Sequence, residues 1–241
     1  MSIYKTRGII INRTNFGEAD RIVTILTYEH GKIKTIAKGV RKVKSHFGGN
    51  LEPFCLSLLN IAEGRNLDVI TSAEIEKSFL NLRKKVNATK EAYYYSELID
   101  KLTESNDPHP EIFNLLSSVL DNLNGIKSDI LIPYFEWNLL SHLGYHPELY
   151  HCVNCRKKLK EDEKIYFNFT MGGIICQNCA KNDLELTTQV IKLLRLFLKH
   201  QILALTKIKI DTNSLTEVKH IARLYLYDKS DKSFKSQRFL K

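Results

Sequence analysis

The sequence predicts an α+β protein in which a small five-stranded barrel precedes a helical domain with a cysteine-rich insertion. Three observations predict this order. Short β-rich runs fill the first 78 residues, apolar residues recur at helical spacing from about Phe79 onward, and four of the five cysteines lie within residues 151–180. The predicted domains are residues 1–78 and 79–241, with a module at 150–182 inserted in the second.

The barrel is predicted from five β-rich runs, which are RGIIINR, RIVTILT, GKIKTIAK, FCLSLLNIAE and LDVITSAEI. Turn residues around Gly31 and Gly64 provide hairpin connections between neighbouring runs. Five strands in so short a segment predict a small barrel, and the OB-fold is a common five-stranded barrel that binds nucleic acid. An SH3-like barrel is the structural alternative.

Helices are predicted after the barrel. In residues 88–104 apolar side chains recur with three- and four-residue spacing, which predicts one buried stripe. Pro110 is expected to begin a second helix, and Pro133 is expected in the first turn of a third. After the cysteine-rich segment, Thr187 or its neighbour is expected to cap one more helix, and Ser214 to begin the last. The members of the stripe are Ala92, Tyr95, Leu98, Ile99 and Leu102.

The cysteine-rich segment HCVNCRKKLKEDEKIYFNFTMGGIICQNCA contains two C-x-x-C pairs. A two-residue spacing lets a tight turn direct both sulfurs to one point, and two such turns supply the four thiolates of a tetrahedral zinc site. Because four thiolates leave no open coordination position, the predicted Zn²⁺ is structural rather than catalytic. The predicted ligands are Cys152, Cys155, Cys176 and Cys179.

Disulfides and redox chemistry are the other interpretations of these cysteines. Disulfide frameworks are typical of small secreted proteins, whereas this chain has 241 residues and starts with an apolar run too short for a signal peptide. A thioredoxin-like site has one reactive pair at the start of a helix. No stretch approaches the ~18 apolar residues of a membrane span, so the sequence predicts a soluble, cytoplasmic protein. His151 adjoins the first pair and is interpreted as a surface residue.

The positive charge is concentrated in one stretch. The chain has 36 Lys and Arg against 27 Asp and Glu, a formal net charge of +9, which favours an acidic partner such as nucleic acid. Residues 31–51, GKIKTIAKGVRKVKSHFGGNL, contain no acid. Strand alternation directs alternate lysines to one face, and cations on a strand and loop suit DNA phosphates. A solvated face is the alternative. The cations are Lys32, Lys34, Lys38, Arg41, Lys42 and Lys44.

Four sequence elements carry a resemblance to a known family. They are G-E-x-D at 17–20, A-K-G-x-R-K at 37–42, L-G-Y-x-P-x-L at 143–149 and G-G-x-x-C-x-x-C at 172–179. Together with the stretches around them, the sequence resembles the bacterial RecO family of recombination and DNA repair proteins over most of its length. The resemblance implies an OB-fold DNA-binding domain at 1–78, a helical C-terminal domain and, in many members, a four-cysteine zinc module.

The resemblance also implies a function without catalysis. Members of the family bind single- and double-stranded DNA, anneal complementary strands, act with RecR and contact the C-terminal tail of single-stranded-DNA-binding protein. They help to load recombinase in the RecF pathway, which implies a cytoplasmic, nucleoid-associated bacterial protein. A zinc-containing nucleic-acid-modifying enzyme is the alternative, but no Walker A, G-x-G-x-x-G, H-E-x-x-H or G-x-S-x-G pattern is present in the sequence.

The family pattern assigns roles to particular residues of this chain. It implies that the four cysteines are Zn²⁺ ligands and that the cations of A-K-G-x-R-K and the lysine after them contact DNA. The assignment of Lys32 and Lys34 as DNA contacts depends on strand alternation alone. At Arg156 the chain departs from the family, which commonly has glycine after the second cysteine, and this affects the expected turn rather than the ligand set. The cations assigned from the family are Lys38, Arg41, Lys42 and Lys44.

Overall fold

The protein is divided into two compact units. A computed structural model describes residues 2–47, 49–160, 162–205 and 208–240. One unit contains the described residues of Met1–Asn124 and Phe234–Lys241, and the other contains those of Gly125–Ser233. The described residues from Phe234 onward therefore belong to the same unit as the first strands.

The first unit begins with five strands that form a closed barrel. Each run predicted from the sequence corresponds to one strand. The strands are β1 (Ile3–Phe16), β2 (Asp20–Thr27), β3 (Gly31–Ala37), β4 (Leu56–Ala62) and β5 (Asp68–Lys77).

The order of the strands identifies the barrel as an OB-fold. They follow one another around the barrel as β1-β2-β3-β5-β4, and all pairs are antiparallel except β3 with β5, which is parallel. The long strand β1 pairs with β2 and with β4, and a register shift between Ile10 and Asn12 marks where it bends. Apolar side chains such as Ile25, Leu59 and Ile61 fill the interior. The predicted five-stranded OB-fold barrel of an α+β protein is therefore confirmed.

Three helices and a 3₁₀ turn complete the described part of the first unit. Four members of the predicted apolar stripe on α2 are buried, and the fifth, Leu102, is half-buried. Pro110 occupies the first turn of α3, as predicted, where its missing N–H costs no hydrogen bond. The elements are α1 (Leu80–Arg83), α2 (Val86–Leu102), α3 (Pro110–Asn122) and the 3₁₀ turn Ser236–Phe239.

Glu97 on α2 holds the C-terminal segment of the first unit. Its carboxylate accepts hydrogen bonds from the backbone N–H of Lys235 at 2.9 Å and of Ser236 at 2.7 Å, and from the Ser236 hydroxyl. The Lys101 ammonium lies 2.8 Å away. Burial opposes ionisation of Glu97, but the hydrogen bonds from Lys101 and Ser236 outweigh it and lower the pKa to about 2.

This arrangement makes part of the stability depend on pH. Because the pKa of folded Glu97 lies below its ordinary value of 4.5, the stabilisation is complete above that value and is lost as the pH falls towards 2. We expect Glu97→Gln to unfold more easily than the wild type near neutral pH, with the difference shrinking in acid. Urea unfolding at several pH values measures it, with Glu104→Gln at an exposed glutamate as the control. A difference that stays constant with pH would contradict the role of the charge.

Among its described residues, the second unit contains four helices and a three-stranded sheet in which Ile165–Asn168 is the central strand. Its core is centred on Trp137, whose ring stacks on Tyr225 at 5.5 Å and meets Phe167 edge-on at 6.1 Å. No helix in the described ranges is long and apolar enough to cross a membrane. The elements are α4 (Ser128–His142), β6 (Ile165–Asn168), β7 (Gly173–Cys176), β8 (Leu184–Leu186), α5 (Thr188–Lys199), α6 (Ile202–Leu205) and α7 (Thr212–Ser230).

Two predicted helix starts in this unit are wrong. Helix α4 begins at Ser128, so Pro133 lies inside the helix rather than in its first turn, where it removes one internal hydrogen bond. Helix α7 is capped by Asp211, whose carboxylate accepts from the Ser214 N–H at 2.8 Å. The prediction for α5 is confirmed, because the Thr187 side chain accepts from the backbone N–H of Val190.

Candidate nucleic-acid interface and cysteine cluster

The predicted cations lie on β3 and on the loop that follows it. We call residues 38–47 the basic loop. Along β3 the side chains of Ile33, Thr35 and Ala37 are buried and that of Lys34 is exposed, as strand alternation predicts. Five of the six predicted cations are exposed, and these are Lys34, Lys38, Arg41, Lys42 and Lys44.

Lys32 is the exception, because the structure buries it. The residue is 6% exposed, and its ammonium donates hydrogen bonds to the carbonyl oxygens of Thr103, at 2.8 Å, and Asp100. The Asp100 carboxylate lies 3.4 Å away. A cation is favourable at the C-terminal end of a helix such as α2, where carbonyl groups lack partners. Lys32 therefore fastens α2 to the barrel, and its ammonium is not available to a ligand at the surface.

The basic loop is fastened to the turn between β1 and β2. The backbone N–H of Arg41 donates to the Ala19 carbonyl at 2.9 Å, and its guanidinium donates to the Gly17 carbonyl at 3.1 Å. The Gly39 N–H donates to the Asp20 carboxylate at 2.7 Å. Sequence reasoning missed this positioning role of Asp20, although the G-E-x-D and A-K-G-x-R-K elements contain both partners. The attachment holds part of the loop backbone at a defined place on the barrel.

The exposed lysines of β3 and the basic loop differ in their partners from three arginines of the barrel. Arg7 is paired with Glu76, and both Arg13 and Arg21 are paired with Glu52. Within the described ranges, by contrast, no carboxylate lies within 4.0 Å of the ammonium groups of the four exposed lysines. Their charges are therefore not neutralised locally. The lysines are Lys34, Lys38, Lys42 and Lys44.

The four predicted cysteine ligands converge in the second unit. Their sulfur atoms all lie within 4.8 Å of one another, and the sulfurs of Cys155 and Cys176 are 3.8 Å apart. A tetrahedral ion with metal–sulfur bonds of about 2.3 Å would place its ligands about 3.8 Å apart. The donor set and its spacing therefore fit a metal ion, and the cluster could hold one.

Backbone contacts between the two C-x-x-C turns bring the pairs together. The Val153 N–H donates to the Ile174 carbonyl at 2.9 Å, which joins the first turn to β7. A side chain at Gly173 would meet the Glu148 carbonyl at 2.6 Å and the Val153 side chain at 2.7 Å, so only glycine permits this approach. Gly173 is thus a structural requirement of the cluster.

The environment of Cys152 favours its thiolate form. Burial opposes ionisation, but the backbone N–H groups of Cys155 and Cys176, each 3.5 Å from the sulfur, lower the pKa to about 6. For Cys179, a hydrogen bond from Asn154 favours the thiolate, but the neighbouring sulfurs, with Cys176 first, and burial together outweigh it and raise the pKa to about 11. Four sulfurs this close repel one another as thiolates unless a cation lies between them.

The two residues that flank the first pair do not disturb the cluster. Arg156 adopts the left-handed conformation, with φ of 63°, that glycine adopts most readily, and its N–H donates to the Cys152 carbonyl at 2.9 Å. The expected turn is therefore made with arginine at this position. His151 is exposed, as expected, and its Nδ1 lies 3.7 Å from the Glu148 carboxylate.

Two family models match the chain. The model described as "Recombination protein O N terminal" matches residues 1–79, and the model described as "Recombination protein O C terminal" matches residues 85–238. The first match covers the barrel strands, and the second includes the cysteine cluster.

Curated relatives match along most of the chain. A protein of Dehalococcoides mccartyi (strain CBDB1), named DNA repair protein RecO, is 38% identical over 218 residues, which are 89% of this chain and 86% of the relative. Proteins of the same name from Bacillus pumilus and Bacillus subtilis are 33% and 31% identical, over 99% and 98% of this chain and 93% of each relative. The chain therefore belongs to the RecO family of DNA repair proteins.

Proposed function

We propose that this chain binds single- and double-stranded DNA through the basic surface of its barrel and anneals complementary strands during DNA repair, without making or breaking covalent bonds. The observation that carries the proposal is the set of five exposed cations on β3 and the basic loop, whose four lysines have no carboxylate beside them among the described residues. Unneutralised cations bind the phosphate backbone and release its condensed counterions, whatever the base sequence. Lys32 is not part of this surface.

Annealing follows from charge neutralisation. Two complementary strands repel each other through their phosphates, and a surface that holds both at once lowers this repulsion. The attachment of the loop at Arg41 and Gly39 supports this role, because a backbone fixed at these points loses less conformational entropy when its cations engage DNA. In this proposal residues 1–78 are the DNA-binding domain, and residues 79–241, with the module at 150–182, are the helical domain.

We propose Zn²⁺ as the ion of the cysteine cluster, with a structural role. Four sulfur ligands at tetrahedral spacing are typical of structural zinc sites, and they leave no position for a reacting water. Bound Zn²⁺ would neutralise the thiolates and hold the two C-x-x-C turns together. The DNA-binding surface contains none of these ligands, so zinc would support the fold of the second unit rather than contact DNA.

RecR and the C-terminal tail of single-stranded-DNA-binding protein are the proposed protein partners. For the tail, an apolar and acidic peptide, the first unit offers a cavity of about 490 Å³ beside α2. The half-exposed rings of Tyr93 and Phe239 line it, and Lys90 and Lys235 provide positive charge. The carboxylates of Glu97 and Asp100 also line the cavity, but they are paired with Lys101 and Lys32. The two rings and the two unpaired lysines are the groups that would accept an apolar side chain and a carboxylate from the same peptide.

A strand-annealing assay tests the proposed function. We expect the purified protein to accelerate pairing of complementary oligonucleotides coated with single-stranded-DNA-binding protein, and to leave their covalent structure unchanged on a denaturing gel and by mass spectrometry. The comparison is the same mixture without the protein. Oligonucleotides that are modified chemically would support a nucleic-acid-modifying enzyme instead. Failure to bind or anneal DNA at low salt would overturn the proposal.

A further inference from the structure

Phe16 is an exposed aromatic residue at the end of β1 where the barrel meets the basic loop. Its side chain is 51% exposed, and it precedes the turn at Gly17, whose φ is +55°. Exposed apolar residues are common singly on protein surfaces. The position of Phe16 within the sheet, however, places it near the cations of the barrel.

The strand register places Phe16 on the same outer face as the exposed lysine of β3. Phe16 is the antiparallel partner of Asp20, and Thr24 on β2 is the partner of Lys34. Directly opposed residues of an antiparallel pair point to the same face, and alternate residues along one strand do so as well. Phe16, Asp20, Thr24 and Lys34 therefore share a face, whereas Val23 on β2 points into the core. On this face Phe16 and Lys34 are exposed, and Thr24 between them is covered.

The contacts that fasten the basic loop involve the two residues closest to Phe16 in the hairpin. Asp20, the cross-strand partner of Phe16, accepts the Gly39 N–H, and the carbonyl of Gly17, the residue after Phe16, accepts from the Arg41 guanidinium. Hydrogen bonds from the basic loop therefore reach the residue after Phe16 and the cross-strand partner of Phe16. A DNA strand whose phosphates contact these cations would place its bases over the adjacent face of the barrel.

We propose that Phe16 stacks on a base of single-stranded DNA held by the basic surface. The proposal rests on the DNA binding proposed above and adds a preference for unpaired over paired strands. Single-stranded nucleic acid is typically bound by a positive groove with aromatic side chains on which bases stack, and the strand 2–3 face of an OB-fold is a usual location. Bases in a duplex already stack on each other, so they would gain little from the ring.

Affinity measurements with single- and double-stranded oligonucleotides test whether Phe16 favours unpaired strands. Removing one stacking partner typically weakens binding by about 5- to 150-fold, so we expect Phe16→Ala to bind oligo(dT) about tenfold more weakly and duplex DNA nearly as well as the wild type. Phe16→Tyr, which keeps the ring, should restore binding, and Phe16→Leu, which keeps an apolar side chain without a ring, should not. Equal losses on single strands and duplex would overturn the proposal.

Fluorescence gives a direct readout of stacking. The natural tryptophan, Trp137, is buried, so Phe16→Trp adds an exposed indole that a stacked base would quench. Ile3→Trp is the matched control, because Ile3 is 65% exposed at the other end of the same strand. We expect oligo(dT) to quench the first variant strongly and the second weakly. Bound oligonucleotide without selective quenching would overturn stacking but leave DNA binding intact. Absence of oligonucleotide binding by the wild type would overturn both.

Discussion

Replacement of Lys38, Lys42 and Lys44 by glutamine is expected to reduce both the affinity for single-stranded DNA and its dependence on salt. If each of the five exposed cations neutralises one phosphate, the logarithm of the association constant falls with the logarithm of salt concentration at a slope of about −3.5. That slope corresponds to a loss of roughly 100-fold between about 50 and 200 mM salt. With two contacts left, the slope should be about −1.4 and the loss roughly 7-fold.

A control of equal charge separates these contacts from net charge. Lys5, Lys84 and Lys85 are exposed lysines of the first unit outside the basic loop, and their replacement by glutamine removes the same formal charge. We expect this control to keep a slope close to that of the wild type. Fluorescence anisotropy of labelled oligo(dT) at several salt concentrations measures all three proteins. Similar slopes for both triple variants would indicate attraction by overall charge, and a wild-type slope near zero would contradict electrostatic binding altogether.

Strand alternation predicts the exposure of a cation on β3 only where neighbouring residues decide it. It fails at Lys32, where a segment distant in sequence covers the side chain. Exposure of Lys34 follows from strand alternation, which depends only on its immediate neighbours. Alternation also places Lys32 on the outer face, but the C-terminal end of α2, about seventy residues later in the chain, covers that position. No periodicity within β3 contains information about this contact. Sequence reasoning did not single out Phe16 either, because its place on the same face as Lys34 depends on the register of three strands.

The cysteine cluster was predictable because the chemistry of the ligands determines their spacing. A tetrahedral site needs sulfurs from two tight turns, and C-x-x-C provides each turn whatever lies between them. The start of α4 was not predictable in this way. Proline is favoured in a first turn but is also tolerated further inside a helix that packing supports, and the neighbours Leu131 and Ile132 of Pro133 are both buried. Apolar packing therefore extends this helix beyond the boundary that proline alone indicates.

Loss of the metal is expected to destabilise the second unit more than any single surface change. Cys176→Ser removes one ligand of the cluster, and the remaining sulfurs of Cys152, Cys155 and Cys179 should bind Zn²⁺ much more weakly. Because an ion that binds only the folded form adds its binding energy to stability, we expect the free energy of unfolding to fall by about 4 kcal/mol or more. Metal analysis should find about one Zn²⁺ per wild-type chain and substoichiometric Zn²⁺ in the variant.

Two comparisons make the result specific to the metal. Cys55 is a buried cysteine of the first unit outside the cluster, so Cys55→Ala should retain the zinc content of the wild type. A strong chelator should lower the thermal midpoint of the wild type and of Cys55→Ala but change that of Cys176→Ser little, because this variant has already lost the ion. Below the unfolding temperature the variant should still bind oligo(dT) with the wild-type salt dependence, since the exposed cations belong to the other unit. A wild type that contains no metal and does not respond to chelator would contradict the zinc assignment. If Cys176→Ser is folded but does not bind DNA, the zinc site and DNA binding are not separate, and this proposal is contradicted.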